Sequence, residues 1–127
     1  MKGMNDFAKL VHREAIKKGH YDEDPSLIEL LMGITSEVSE AYEAVRKGRI
    51  ETEPDRFRWY DDWEKGTFSF DRMNYQDHFK DTVPDELVGA MLRIIDLLRH
   101  LEVDIEFHIE KAMQYNATRP YKNGKKI

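Results

Sequence analysis

Between Asp24 and Gly48 the apolar residues Leu27, Leu30, Leu31, Ile34, Val38, Ala41 and Val45 return at spacings of three and four. That period closes one apolar face of a helix; a strand would alternate every second residue. Asp24 reads as the N-cap and Pro25 as the first helical residue, while Arg46 and Lys47 followed by Gly48 mark a C-terminal end. A helix over 25–47 with such a stripe must bury it against other helices.

The same period recurs elsewhere. Phe7, Ala8, Leu10, Val11 and Ala15 predict a helix from Asn5, as its cap, to about Lys18, ending at Gly19. The capping-box-like Thr82-Val83-Pro84-Asp85 opens a third helix with Leu87, Ala90, Met91, Ile94, Leu97, Leu98 and Leu101 on one face, running to about His100. Asp104 caps a fourth, from Ile105 to about Asn116, before Arg119-Pro120 forbids continuation. The segment 49–81 keeps no period but is rich in aromatics, including Phe57, Trp59, Tyr60, Trp63, Phe68 and Phe70. It is expected as an insertion of short helical turns packed on the body. The basic tail from Tyr121 to Ile127 is expected to be partly ordered at best. No strand pair or repeat is visible, so the expected fold is all-α, an antiparallel helical bundle in one domain over 1–127.

Composition narrows the chemistry. With no cysteine among 127 residues, a disulfide framework and a thiolate metal site are both excluded. A net charge of −5 argues against general binding to nucleic acid. No apolar run approaches the roughly 20 residues of a membrane span, and no apolar stretch follows the first lysine as in an export signal. A cytoplasmic protein with no membrane partner is expected.

Glu37 and Glu40 stand three residues apart at the edge of one apolar stripe, and Glu86 holds the matching edge of the third helix, with Arg93 near the same line. Three converging carboxylates repel unless a divalent cation sits among them, and hard oxygen donors select Mg²⁺ or Mn²⁺. Such a site does phosphate chemistry. The plainer reading is that acids beside an apolar stripe are the solvated boundary of an amphipathic helix.

The run Gly33-Ile34-Thr35-Ser36-Glu37-Val38-Ser39-Glu40-Ala41, then Asp85-Glu86-Leu87-Val88-Gly89-Ala90-Met91-Leu92-Arg93-Ile94-Ile95-Asp96-Leu97, resembles the MazG-like all-α nucleoside triphosphate pyrophosphohydrolases. The close, with Lys111, Tyr115, Asn116, Arg119-Pro120-Tyr121-Lys122, Gly124 and Lys125, is similar to that family's final segment. The resemblance implies cleavage of a nucleoside triphosphate to a monophosphate and pyrophosphate with Mg²⁺ in a homodimer or higher homo-oligomer. It puts the catalytic and metal-binding role on Glu37, Glu40 and Glu86. Substrate contacts fall on Lys111, Asn116, Arg119 and Lys122, although cations near a helix C-terminus also suit its dipole. The family's fourth ligand falls on Gly89, which has no carboxylate and costs about 1 kcal/mol against alanine inside a helix. Water or Asp96 could complete the site, the glycine could serve close packing in a noncatalytic relative that binds nucleotide or regulates, or this chain alone could be altered there. Asp96, roughly 10 Å further along the axis, is too far to replace the ligand directly and reads as structural; paired with Arg93 it could instead fix a subunit contact or touch substrate phosphate. Trp59, Tyr60 and Trp63 read as a minicore before a nucleobase platform, and His12, His20, His78, His100 and His108 as solvated. A purely structural dimeric bundle is the remaining alternative.

Overall fold

The computed structural model describes residues 1–50 and 55–121, with the side chains of 55–58 left aside. Among the described residues the chain is all-α, with six helices and no strand: α1 Met4–Lys17, α2 Leu27–Arg46, α3 Asp55–Glu64, α4 Arg72–His78, α5 Val83–His100 and α6 Ile105–Ala117. They fall into two compact units, Met1–Pro25 with Ile94 onward, and Ser26–Arg93.

In the first unit, Ala8, Ile95 and Ile105 form a small buried core, packed by Met4, Val11, Leu98 and Ile109. The expected cap at Asn5 serves a different helix. Gly3, at φ 90°, precedes α1 with no side-chain cap, while Asn5 Oδ1 accepts from the backbone N–H of Ile105 (2.9 Å) and Glu106 (3.3 Å). The Asn5 amide also donates to Asp104 Oδ1 at 3.0 Å, and the Asn5 backbone N–H donates to Glu106 Oε2 at 2.8 Å. Two helix starts therefore satisfy each other's free N–H groups. Asp104 caps α6 as expected, accepting from Phe107 N.

In the second unit, α2 begins two residues later than the sequence suggests. Ser26 is the N-cap, its Oγ accepting from Glu29 N, while its hydroxyl donates to the Glu29 carboxylate. This Ser-x-x-Glu pairing outcompetes Asp24, whose φ of 48° lies in the left-handed region. The helix closes as expected, with Gly48 at φ 72° and Arg49 N donating back to Ala44 O. Arg49 then ties the end of α2 to the start of α5: its carbonyl accepts from Val83 N at 2.9 Å, and its guanidinium donates to Lys80 O at 2.7 Å.

The aromatic segment folds as two short helices around Trp59, whose ring lies 4.8 Å from Phe79 and 5.0 Å from Phe68. Phe70 and Tyr75 complete the cluster. Trp59 belongs to the expected minicore, whereas Tyr60 and Trp63 are exposed. Phe57 lies among the residues whose side chains are not described. Buried Thr82 opens α5 as the capping-box reading requires, its hydroxyl accepting from Asp85 N and donating to Phe79 O.

Candidate functional site

Glu37 and Glu40 on α2 and Glu86 on α5 meet within the second unit. One carboxylate oxygen from each lies within 4.8 Å of the other two. The three differ in exposure: Glu86 is buried, with 7% of its surface accessible, Glu37 is half-buried and Glu40 exposed. Burial pushes the Glu86 carboxyl up to about 7, and its hydrogen bond with Glu40, the charge of Glu40, Asp81 and Glu37 add to this in turn. Near neutral pH Glu86 thus holds a proton more readily than an ordinary carboxyl, with Glu40 as its hydrogen-bond partner.

Glu37 is held from the far side. Arg93 Nε donates to its Oε1 at 2.8 Å, and a Cβ at Gly33 would stand 3.0 Å from the Arg93 guanidinium. Gly33 thus opens the notch in which Arg93 lies, and Arg93 is committed to Glu37 rather than to Asp96, three residues on. The second Glu37 oxygen, Oε2, lies 2.8 Å from where a Cβ at Gly89 would be. The space at the anomalous glycine is therefore filled by a carboxylate of the cluster itself. Of the three explanations for Gly89, close packing has a direct geometric basis, and what packs there is Glu37.

Sequence reasoning missed several neighbours. Asp81 and Asp85 form a second acidic group with Glu86. Asp85 accepts from the Tyr75 hydroxyl and from Asp81 N, and burial followed by the Asp85 hydrogen bond pushes Tyr75 up to about 12. Their signal was the spacing Asp81, Asp85, Glu86 at a helix start, overshadowed by the capping reading of 82–85. Glu40, Asp81 and Glu86 also line a cleft of about 460 Å³ together with Lys47, Arg49 and Lys80. Those three cations are separated by up to 33 residues in sequence, and nothing in a linear reading joins them.

No protein-family model, curated protein or solved structure matches this chain.

The donor set is chemically coherent for a hard divalent cation, being all carboxylate oxygen with one member buried and reluctant to ionise without a counter-charge. The expected substrate contacts lie in the other unit. Lys111 is exposed on α6, where its ammonium donates to Gln114 and sits 5.8 Å from the Phe107 ring. Asn116 is in the last turn of α6, and the Arg119 guanidinium lies 5.8 Å from the Tyr115 ring. Lys122 and Lys125 lie outside the described residues. Asp96 is structural, as expected: it is 8% exposed and accepts from His12 Nδ1 at 2.6 Å and from the Tyr21 hydroxyl at 2.7 Å. His12 is consequently no solvated surface histidine. Its side chain is 17% exposed, and its ring packs edge-on against Tyr21, which stacks on His100.

Proposed function

We propose that this chain is a Mg²⁺-dependent nucleoside triphosphate pyrophosphohydrolase-like protein, Mn²⁺ serving as a substitute, which releases a nucleoside monophosphate and pyrophosphate. The observation that carries the reading is the meeting of Glu37, Glu40 and Glu86 from two helices, with Glu86 buried among like charges. The metal, held by these three carboxylates, would neutralise phosphate charge and supply an activated water. Arg93 orients Glu37 through the Oε1 contact. Glu40, the exposed member, accepts a proton at its carboxylate, while Glu86 would give up its own on taking the metal. Lys111, Asn116, Arg119 and Lys122 are assigned to substrate by the family resemblance.

A homodimer or higher homo-oligomer belongs to the same reading. Leu27, Leu31, Val38 and Val45 on α2, and Leu87 and Met91 on α5, stay about half exposed in one chain. A second copy of this chain would bury such a face. A cytoplasmic setting suits a cysteine-free nucleotide hydrolase, and no described helix is long and apolar enough to cross a membrane.

One observation favours a second reading, a noncatalytic nucleotide-binding or regulatory relative: position 89 offers no carboxylate, and Glu37 fills its place. A panel of standard and modified nucleoside triphosphates with Mg²⁺, assayed for monophosphate and pyrophosphate, separates the two. Turnover that Glu40→Gln abolishes supports the enzyme. Nucleotide binding without turnover supports the regulatory relative, and neither binding nor turnover removes both.

A further inference from the structure

We propose that Lys47, Arg49 and Lys80 form the anion-binding side of the same cleft and take the phosphate chain of a metal-bound di- or triphosphate. This rests on the metal reading above, which it extends by naming residues that the family resemblance does not assign. The acids Glu40, Glu43, Asp81 and Glu86 and these three cations line one open concavity of about 460 Å³. That volume falls in the range of about 300–1,000 Å³ usual for small-molecule sites. A cleft carrying acids and cations together suits a ligand that itself carries both signs, and a polyphosphate chelating a divalent cation is such a ligand.

The cations are placed rather than scattered. The Arg49 guanidinium is anchored on Lys80 O at 2.7 Å, and its carbonyl holds Val83 N, so Arg49 and Lys80 come from two segments bonded to each other. The Lys80 ammonium lies 3.2 Å from both Asp81 oxygens. Lys47 has no ion pair among the described residues; Glu43, four positions earlier, pairs with Arg46 at 2.9 Å. The helix dipole offers a simpler reason for Lys47 at the end of α2. It cannot explain Lys80, which stands just before the N-terminus of α5, where the dipole opposes a cation.

Lys47 is the residue to change, since its side chain makes no hydrogen bond among the described residues. Mn²⁺ binding is followed by electron paramagnetic resonance, and pyrophosphate and orthophosphate binding by calorimetry with Mn²⁺ present. The comparison set is the wild-type chain, Lys47→Glu, Lys47→Gln/Arg49→Gln and the remote control Lys9→Gln. The expected result is pyrophosphate binding at least tenfold tighter than orthophosphate binding. Lys47→Glu weakens pyrophosphate at least tenfold and the double variant follows it, while both still bind Mn²⁺ and melt cooperatively. Pyrophosphate affinity unmoved by Lys47→Glu in a chain that binds Mn²⁺ overturns this inference and leaves the metal reading standing. So does equal binding of the two phosphates, or equal weakening by Lys9→Gln, either of which marks a diffuse charge effect. A wild-type chain that binds no Mn²⁺ overturns the metal reading and this inference with it.

Discussion

Replacing Glu86 by glutamine should make the metal-free protein more stable in mildly alkaline solution and leave it unchanged in acid. The carboxyl is displaced from an ordinary 4.5 to about 7, chiefly by burial and then by Glu40. At about 1.36 kcal/mol per pH unit, that displacement corresponds to an upper figure of about 3 kcal/mol of strain once the group is ionised. The cleft is open, and water screens its charges, so about 1–2 kcal/mol is the realistic share. The sign follows from proton binding. Between 4.5 and 7 the folded chain holds the proton more tightly than the unfolded one, so stability from this group is intact below 4.5, falls as pH rises and is fully lost above 7. Glutamine keeps the shape and cannot ionise. Urea unfolding at pH 4 and pH 8 should therefore show Glu86→Gln close to wild type at the lower pH and about 1–2 kcal/mol more stable at the higher. Mn²⁺ binding should be lost at both. A variant less stable than wild type at pH 8 would refute the claim that burial and the neighbouring Glu40 disfavour the ionised form of Glu86.

Gly89→Ala should melt no lower than wild type, because alanine favours the helix by about 1 kcal/mol and the end of Glu37 can move. Its Mn²⁺ affinity should fall at least fivefold, since the new Cβ displaces Glu37 Oε2; unchanged affinity would count against Glu37 as a ligand. Gly89→Asp should melt below wild type without metal and gain more from Mg²⁺ than wild type does, and melting indifferent to Mg²⁺ would contradict the converging-carboxylate picture. Asn5→Ala should cost about 1–2 kcal/mol in denaturant unfolding through loss of the α6 cap, whereas a change near zero would show that water replaces the amide. Asp96→Asn should cost about 1–3 kcal/mol and lower the pH at which Tyr21 ionises in an ultraviolet titration, because burial first and Asp96 second push that hydroxyl upward.

The helical periods were legible because 3.6-residue spacing is a local property: the stripe at 27–45 emerged as one helix, and so did that at 87–101 up to His100, Leu101 falling in the turn that follows. Caps were less legible. Asp24-Pro25 and Ser26-x-x-Glu29 are both sound starts, and only the reciprocal Ser26–Glu29 bonds decide between them. Asn5 carries an ordinary capping signal, yet which helix it caps depends on Ile105 and Glu106, a hundred residues away. The acid trio could be read because each glutamate sits at a stripe edge. Arg93's choice of Glu37, the filling of Gly89 and the gathering of Lys47, Arg49 and Lys80 all arise from contacts between distant segments, to which period and spacing are blind.

Arg93 in the Gly33 notch has a consequence for how the chain reaches its folded state. Of three carboxylates in the trio, one is matched by the guanidinium and one retains a proton below about pH 7, which leaves a single formal negative charge. A centre that balances itself so nearly need not wait for an ion before the helices assemble, in contrast to small domains that collapse when a chelator strips their metal. A chelator should therefore leave the fold standing, whether or not the trio has taken an ion.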